Sequence, residues 1–360
     1  MIQSNLVRFD YLTFGVMKSC LWKVWSPFYV RSHTAGRNAV RNIGRLLVML
    51  ALAATSAAFA QGYPNRPIKV IVPWPPGQTT DIAARMVSEK LAPVLGQPLI
   101  VDNRPGAGGL IGTEAASKAA PDGYTLLAGS VGPISIMPNV QKVPYDPVKD
   151  FSPISQFTST PHVLVTHPSF PAANVKEFIS LLRANPDKYS YSSSGSGAIS
   201  HLISEAFLSM ANITATHVPY KGSAQALTDV VGGQVTYTFE TSATVLGHVK
   251  AGRLKALGVS SANRAIALPE LPTIAEAGDL PGFDMRGWIG LLAPAGIPRE
   301  LRMRLATESR KILQAPEMRE RFIALGLEPA GLMLDEFADF LKKQNNRYAS
   351  IVKQANVKAD

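Results

Sequence analysis

Cysteine is nearly missing from this chain of 360 residues; only Cys20 is present. One thiol so close to the N-terminus allows no internal disulfide and no thiolate metal cluster. If the first 60 residues are removed, no thiol nucleophile is left, and an oxidising compartment costs the chain nothing. Nucleotide motifs are missing too. There is no G-x-x-x-x-G-K-[ST] for a triphosphate and no G-x-S-x-G nucleophile elbow. Gly106-Ala107-Gly108-Gly109-Leu110-Ile111-Gly112 comes near a dinucleotide fingerprint, but that pattern requires glycine where Ile111 stands. No cofactor is therefore expected. His201 and Glu205 lie one helical turn apart, yet two ligands do not make a metal site. His162, His167, His217 and His248 lack a pairing spacing and read as surface or capping residues. Glu317, Glu320, Asp335, Glu336 and Asp339 read as solvated helix faces rather than as a paired acid and base.

What is present begins with an address. Arg37, Arg41 and Arg45 precede an apolar run over residues 46–54, and Ala58-Phe59-Ala60 closes it with the small-x-small pattern of a cleavage site. This is a secretory signal, cut after Ala60, and too short and Ala-rich to span a bilayer, which takes roughly 20 apolar residues. Residues 1–36 extend the signal beyond need, so translation is expected to start downstream of Met1. The signal region also explains most of the basicity. Lys and Arg outnumber Asp and Glu by 36 to 26 overall but by 29 to 25 after residue 60. That surplus is spread along the chain, which excludes a nucleic-acid patch.

Residues 61–360 suffice for two domains, and strand and helix signals alternate along them, which indicates an α/β fold. Strands are expected at residues 68–72, 99–101, 124–127, 163–165, 188–191, 215–218, 234–240 and 288–292, with parallel pairing through crossover helices. Helices are expected from residue 82, over 112–119, through His201 and Phe207, over 224–231, over 301–313 after Pro298, and over 337–352 after a capping Asp335. Three loops rich in Gly, Ser or Thr stand where a strand hands over to a helix: residues 74–81, 192–197 and 220–223. Helix N-termini carry unpaired N–H groups and partial positive charge, so three such loops facing one cleft would cage a carboxylate.

The same residues carry a resemblance. VPWPPGQTTD, NRPGAGGLIGTEAASKAAPDGYTLLAGS, YSSSGSGAISHL, VPYKGSAQALTDVVGGQV, GRLKALGVSS and WIGLLAPAGIP resemble, in order and across residues 61–360, the successive signatures of the Bug family. These are the extracytoplasmic solute receptors of tripartite tricarboxylate transporters. The resemblance implies a type II periplasmic-binding-protein fold, with two α/β domains and a ligand cleft between them. Domain 1 would be residues 61–163 with 285–360, and domain 2 residues 164–284. It implies a periplasmic protein that captures a small carboxylate, whether a di- or tricarboxylate, an amino acid or an aromatic acid. The solute would be delivered to membrane subunits without any bond being made or broken. The family's contacts carry over onto Trp74, Pro76, Gly77, Thr79, Thr80, Ser130, Ser193, Gly195, Ser196, His201, Tyr220, Lys221 and Gly222, with Asp81 as a cap that fixes the first loop.

Two departures from the family pattern bear on the ligand. Gln78 replaces a frequent glycine, and its side chain either enters the site or points to solvent. Phe239-Glu240-Thr241 replaces the common Phe-Asp-Asn; Glu240 is either an acceptor for a ligand amino group or a hinge residue, with the hinge preferred. Two alternatives stay open beside the receptor. One is an exported hydrolase using Ser193 or Ser196 with His201, and the other a sensor that presents its closed form to a signalling partner.

Overall fold

The computed structural model describes residues 62–354 and Val357. Cys20 and the export signal lie outside the described residues. From Tyr63 onward the described residues form one compact unit. Its first strand, β1 (Ile68–Val72), is buried except for Lys69 and leads through the Pro73–Gln78 turn into α1 (Thr79–Leu95). β2 (Leu99–Asn103), α2 (Leu110–Ser117) and β3 (Thr125–Ser130) follow, and β1 pairs in parallel with both β2 and β3. A π-helical segment over Gly132–Ile136 runs into the short α3 (Met137–Val140).

The parallel expectation fails at the strands that join the two groups and holds again beyond them, where residues 190–193 pair in parallel with 216–219 and with 237–238. β4 (Phe151–Thr166) runs antiparallel to β9 (Arg286–Pro294), which is itself antiparallel to β3. Only residues 163–165 of β4 were legible as strand, because Pro153 and Pro161 read as strand breakers and two register shifts against β9 disrupt the alternation. β4 is the connecting element. Residues up to Pro161 pair with β9, whereas His162–Thr166 pair with β7 (Tyr237–Thr241). Beyond it lie β5 (Ser190–Ser193) and β6 (Thr216–Pro219), giving the order β2-β1-β3-β9-β4-β7-β5-β6. β8 (Lys255–Val259) and the two-residue β10 (Glu328–Pro329) also pair with β4.

Helices cover these sheets because their apolar residues recur at helical spacing. α4 (Val175–Ala184) buries Val175, Phe178, Ile179 and Leu182, and Asn174 caps it by accepting the Glu177 amide at 2.9 Å. α5 (Ile199–Ala211), α6 (Ser223–Val231) and α7 (Ser242–Lys250) surround the second group of strands. α8 (Ile274–Gly278) starts with a capping box between Thr273 and Glu276. α9 (Arg299–Gln314), α10 (Pro316–Ala324) and α11 (Leu334–Gln354) finish the chain. Asp335 falls inside the first turn of α11 with its side chain 96 % exposed, so it does not cap that helix as expected. The core includes Trp288, Tyr191, Tyr237, Phe207 and Phe239, all buried. Burial of each such side chain stabilises the fold by about 1.5–3 kcal/mol.

Candidate functional site

Four helices begin around one small cavity. α1, α5, α6 and α7 start after Gln78, Ala198, Gly222 and Thr241, and in none does the cap residue's side chain bond a helix amide. All or part of each first turn is buried: Thr79 and Thr80, Ser200, Ser223, and Ser242. The first amides of a helix have no partner inside it. α9 and α10 also lack side-chain caps, but their first residues are exposed. α4 and α8, remote from the cavity, carry the Asn174 and Thr273 caps. The cavity holds about 40 Å³ and is lined by Gln78, Thr79 and Thr80 of the first loop, and by Ser194, Ala198, Ser223, Glu240 and Thr241 of the second strand group. Thr160, His162 and Trp288 contribute from β4 and β9. Thr79 and Thr241 close the space across the two groups, hydroxyl to hydroxyl at 2.6 Å.

The first loop is held from behind. Asp81 occupies the third position of α1, and its carboxylate accepts the Gly77 amide at 2.9 Å, Asn103 Nδ2 at 2.9 Å and Arg85 Nε at 3.0 Å. Burial pushes its pKa up, but the Arg85, Gly77 and Asn103 bonds outweigh burial and leave it below the usual value. Asn103 also donates to the Trp74 carbonyl at 3.0 Å, and Trp74 Nε1 donates to Ser130 Oγ at 2.8 Å.

Among the described residues, no Lys or Arg lines the 40 Å³ cavity. Its titratable groups are Glu240 and His162. Burial raises Glu240 to about 7, against the pull of Ser223, the Thr241 amide and Thr244. Burial lowers His162 to about 4, so its imidazole is neutral; Nδ1 meets the Thr160 carbonyl at 3.0 Å and must therefore carry the proton. Ser223 Oγ donates to Glu240 Oε2 at 2.9 Å, while Glu240 Oε1, Gln78 Oε1 and Trp288 Nε1 are buried without a partner.

Of the residues singled out in the sequence, Trp74, Gln78, Thr79, Thr80, Ser130 and Glu240 line this cavity. Pro76, Gly77, Lys221 and Gly222 line an adjoining opening of about 510 Å³. Gly195, Ser196, Tyr220 and Lys221 line another, of about 860 Å³. Ser193 and His201 line none of the three. Ser193 Oγ pairs with His217 Nε2 at 2.7 Å, and His201 Nδ1 accepts the Gly197 amide at 3.1 Å while its ring stacks on His217 at 4.0 Å. The Ser193–His201 pair of a hydrolase is thus not formed. Glu205 accepts the Tyr191 hydroxyl instead of joining His201 around a metal, and among the described residues no three His, Cys, Asp or Glu side chains cluster to hold one. Thr160, His162, Thr241 and Trp288 line the cavity without having been expected there, while Ser194 and Ser223 belong to two of the three expected loops without having been named as contacts. His162, expected to be a surface or capping residue, is 1 % exposed and caps no helix from its place inside β4. The available signal was a run of polar side chains in a strand that must be buried on both faces.

Residues 83–357 match the family model described as tripartite tricarboxylate transporter family receptor. The chain belongs to that family. Protein BugT of Bordetella pertussis is 35% identical to this receptor over 328 residues, 88% of this chain and 99% of BugT. An adipate-bound protein of R. palustris superposes with a TM-score of 0.80 at 32% identity, covering 83% of this chain and all of that one. The malate-bound MatC of Rhodopseudomonas palustris gives 0.75 at 30% identity, covering 81% of this chain and all of MatC. The receptor therefore has the two-domain α/β architecture of periplasmic binding proteins, and its family consists of solute receptors rather than enzymes. The family is periplasmic, and among the described residues no helix is long and apolar enough to cross a membrane.

Proposed function

We propose that this receptor, cleaved after Ala60, captures a small carboxylate in the periplasm and hands it to the membrane subunits of a tripartite carrier. The observation that carries this reading is the convergence on one cavity of four helix N-termini without side-chain caps. Helix N-termini present N–H donors and partial positive charge, an arrangement suited to an anion where no Lys or Arg among the described residues lines the cavity. The adipate and malate in the neighbouring structures support a carboxylate. About 40 Å³ accommodates little more than one water, whose share of the liquid is about 30 Å³. A solute enters when residues 61–163 with 285–360 separate from residues 164–284, and is enclosed when they close. β4 and β9, whose pairing meets at Pro161 and Arg286, are the natural hinge strands.

Thermal unfolding against mono-, di- and tricarboxylates, amino acids and aromatic acids tests the reading. A ligand at about 100 times its Kd adds about 2.7 kcal/mol of stability. A shift confined to carboxylate-bearing compounds is expected; no shift with any of them, on protein freed of copurified solute, contradicts it.

A further inference from the structure

Resting on the carboxylate reading above, we infer that the solute also carries an ammonium group, and that Glu240 Oε1 accepts its hydrogen bond: the ligand is an amino acid. Three features of the cavity lead there. Glu240 is 2 % exposed, its Oε2 is occupied by Ser223 Oγ at 2.9 Å, and its Oε1 is buried without a donor. Gln78 Oε1, a second buried acceptor without a donor, lines the same cavity. A buried acceptor left unmet is costly, and a plain carboxylate has no hydrogen to give to either oxygen, whereas an ammonium has three.

The second feature is charge. The helix N-termini supply partial positive charge for one anion, but among the described residues no Lys or Arg lines the cavity to balance a second carboxylate beside Glu240. A zwitterion balances itself, its carboxylate on the helix amides and its ammonium on Glu240. The third feature is the neighbourhood of Glu240. On the elements packed against β7, the ionisable groups are His162 on β4, Tyr191 on β5, His201 and Glu205 on α5, Asp229 on α6, and His248 and Lys250 on α7. Among them only His162 lines the cavity, and it is neutral. Among the described residues, no cation lines the cavity to pair with Glu240, which is open to one from the ligand.

The alternative chemistry is a protonated Glu240 donating from Oε1 to a second ligand carboxylate. The two have opposite proton linkage. An ammonium favours the ionised form, so amino acid binding releases a proton and tightens as pH rises toward about 7, the value to which burial carries Glu240. Dicarboxylate binding would take up a proton and weaken above that pH.

The test is calorimetry on the signal-free protein with matched pairs that differ only in the amino group: L-glutamate and glutarate, L-aspartate and succinate, L-norvaline and pentanoate. At least one amino acid is expected to bind 100-fold or more tightly than its deaminated partner. In buffers of different ionisation enthalpy it should release protons at pH 6, and Glu240→Gln should weaken it at least tenfold. The melting temperature of that variant should hold or rise, which shows that the loss is not unfolding. A deaminated acid that binds as well as its amino acid, or an amino acid that Glu240→Gln leaves unaffected, overturns the inference. In the first case the carboxylate receptor survives without its ammonium site. Failure of all six compounds overturns the inference, and if the wider carboxylate panel also fails, the receptor reading falls with it.

Discussion

A single methyl group at Gly108 should separate the stability of the protein from its ability to close. Gly108 belongs to the loop ahead of α2 and has φ +62°; a Cβ built there would stand 2.9 Å from the carbonyl oxygen of Ser196, on the opposite side of the cleft. Gly108→Ala therefore has two costs. The left-handed backbone disfavours any Cβ by about 1–2 kcal/mol whether the cleft is open or closed. The overlap with Ser196 exists only when the two sides meet, and such overpacking costs about 1–3 kcal/mol. Gly252→Ala isolates the first cost, because Gly252 has φ +67° and nothing within 4 Å of the added methyl. Both variants should lose about 1–2 kcal/mol in ligand-free unfolding. Only Gly108→Ala should also weaken ligand binding, by about tenfold to 100-fold at 1.4 kcal/mol per decade. The assay is denaturant unfolding paired with calorimetric titration of the solute that gives the largest thermal shift. Equal effects of the two variants on Kd would refute the claim that closure brings Gly108 against Ser196.

Other outcomes follow from the same geometry. Thr79→Val removes the 2.6 Å bridge to Thr241 and should weaken binding severalfold, consistent with about 0.5–1.5 kcal/mol for one hydrogen bond, with unfolding of the free protein little changed. Asp81→Asn loses part of the set holding the first loop. Charged hydrogen bonds are worth about 1.5–3 kcal/mol, and with Arg85 half exposed the expected loss is about 1–2 kcal/mol. Because the folded state holds Asp81 below the usual 3.8 of an aspartate, its stabilisation is present above that pH and lost as pH falls through the lower folded value. The variant and the parent should therefore converge in stability in strong acid. Glu240 runs the other way. Its pKa rises from 4.5 to about 7, so the folded protein binds the extra proton and stability falls as pH climbs through that window. Two and a half decades amount to on the order of 3 kcal/mol, and Glu240→Gln should abolish that slope in pH-dependent melting.

Much of the fold was legible because β1, α1 and α6 announce themselves locally. A β-branched run, a proline- and glycine-shaped turn and a cluster of Thr before a helical period leave few other structures. Beyond residues 163–165, β4 was not legible, since Pro153, Pro161 and its Ser, Thr and Gln residues argue against a strand unless both faces are known to be covered. α4 was missed although Val175, Phe178, Ile179 and Leu182 have helical spacing behind an Asn174 cap. For the site, the glycine- and hydroxyl-rich loops marked Trp74, Gln78, Thr79 and Thr80 because helix N-termini carry a local signature. Thr160, His162 and Trp288 reach the cavity from strands brought together across more than a hundred residues, and nothing local reports such a meeting. His201 illustrates the opposite failure: the right loop, but a ring turned to accept the Gly197 amide and to stack on His217.

The central claim is that uncapped helix starts hold the solute's carboxylate. A crystal structure of the complex with the compound that gives the largest thermal shift tests it most directly. The account predicts carboxylate oxygens within about 3 Å of first-turn amides of at least two of α1, α5, α6 and α7, directly or through one water. A carboxylate seated on Lys221 in the outer openings, with the helix starts uninvolved, would contradict it.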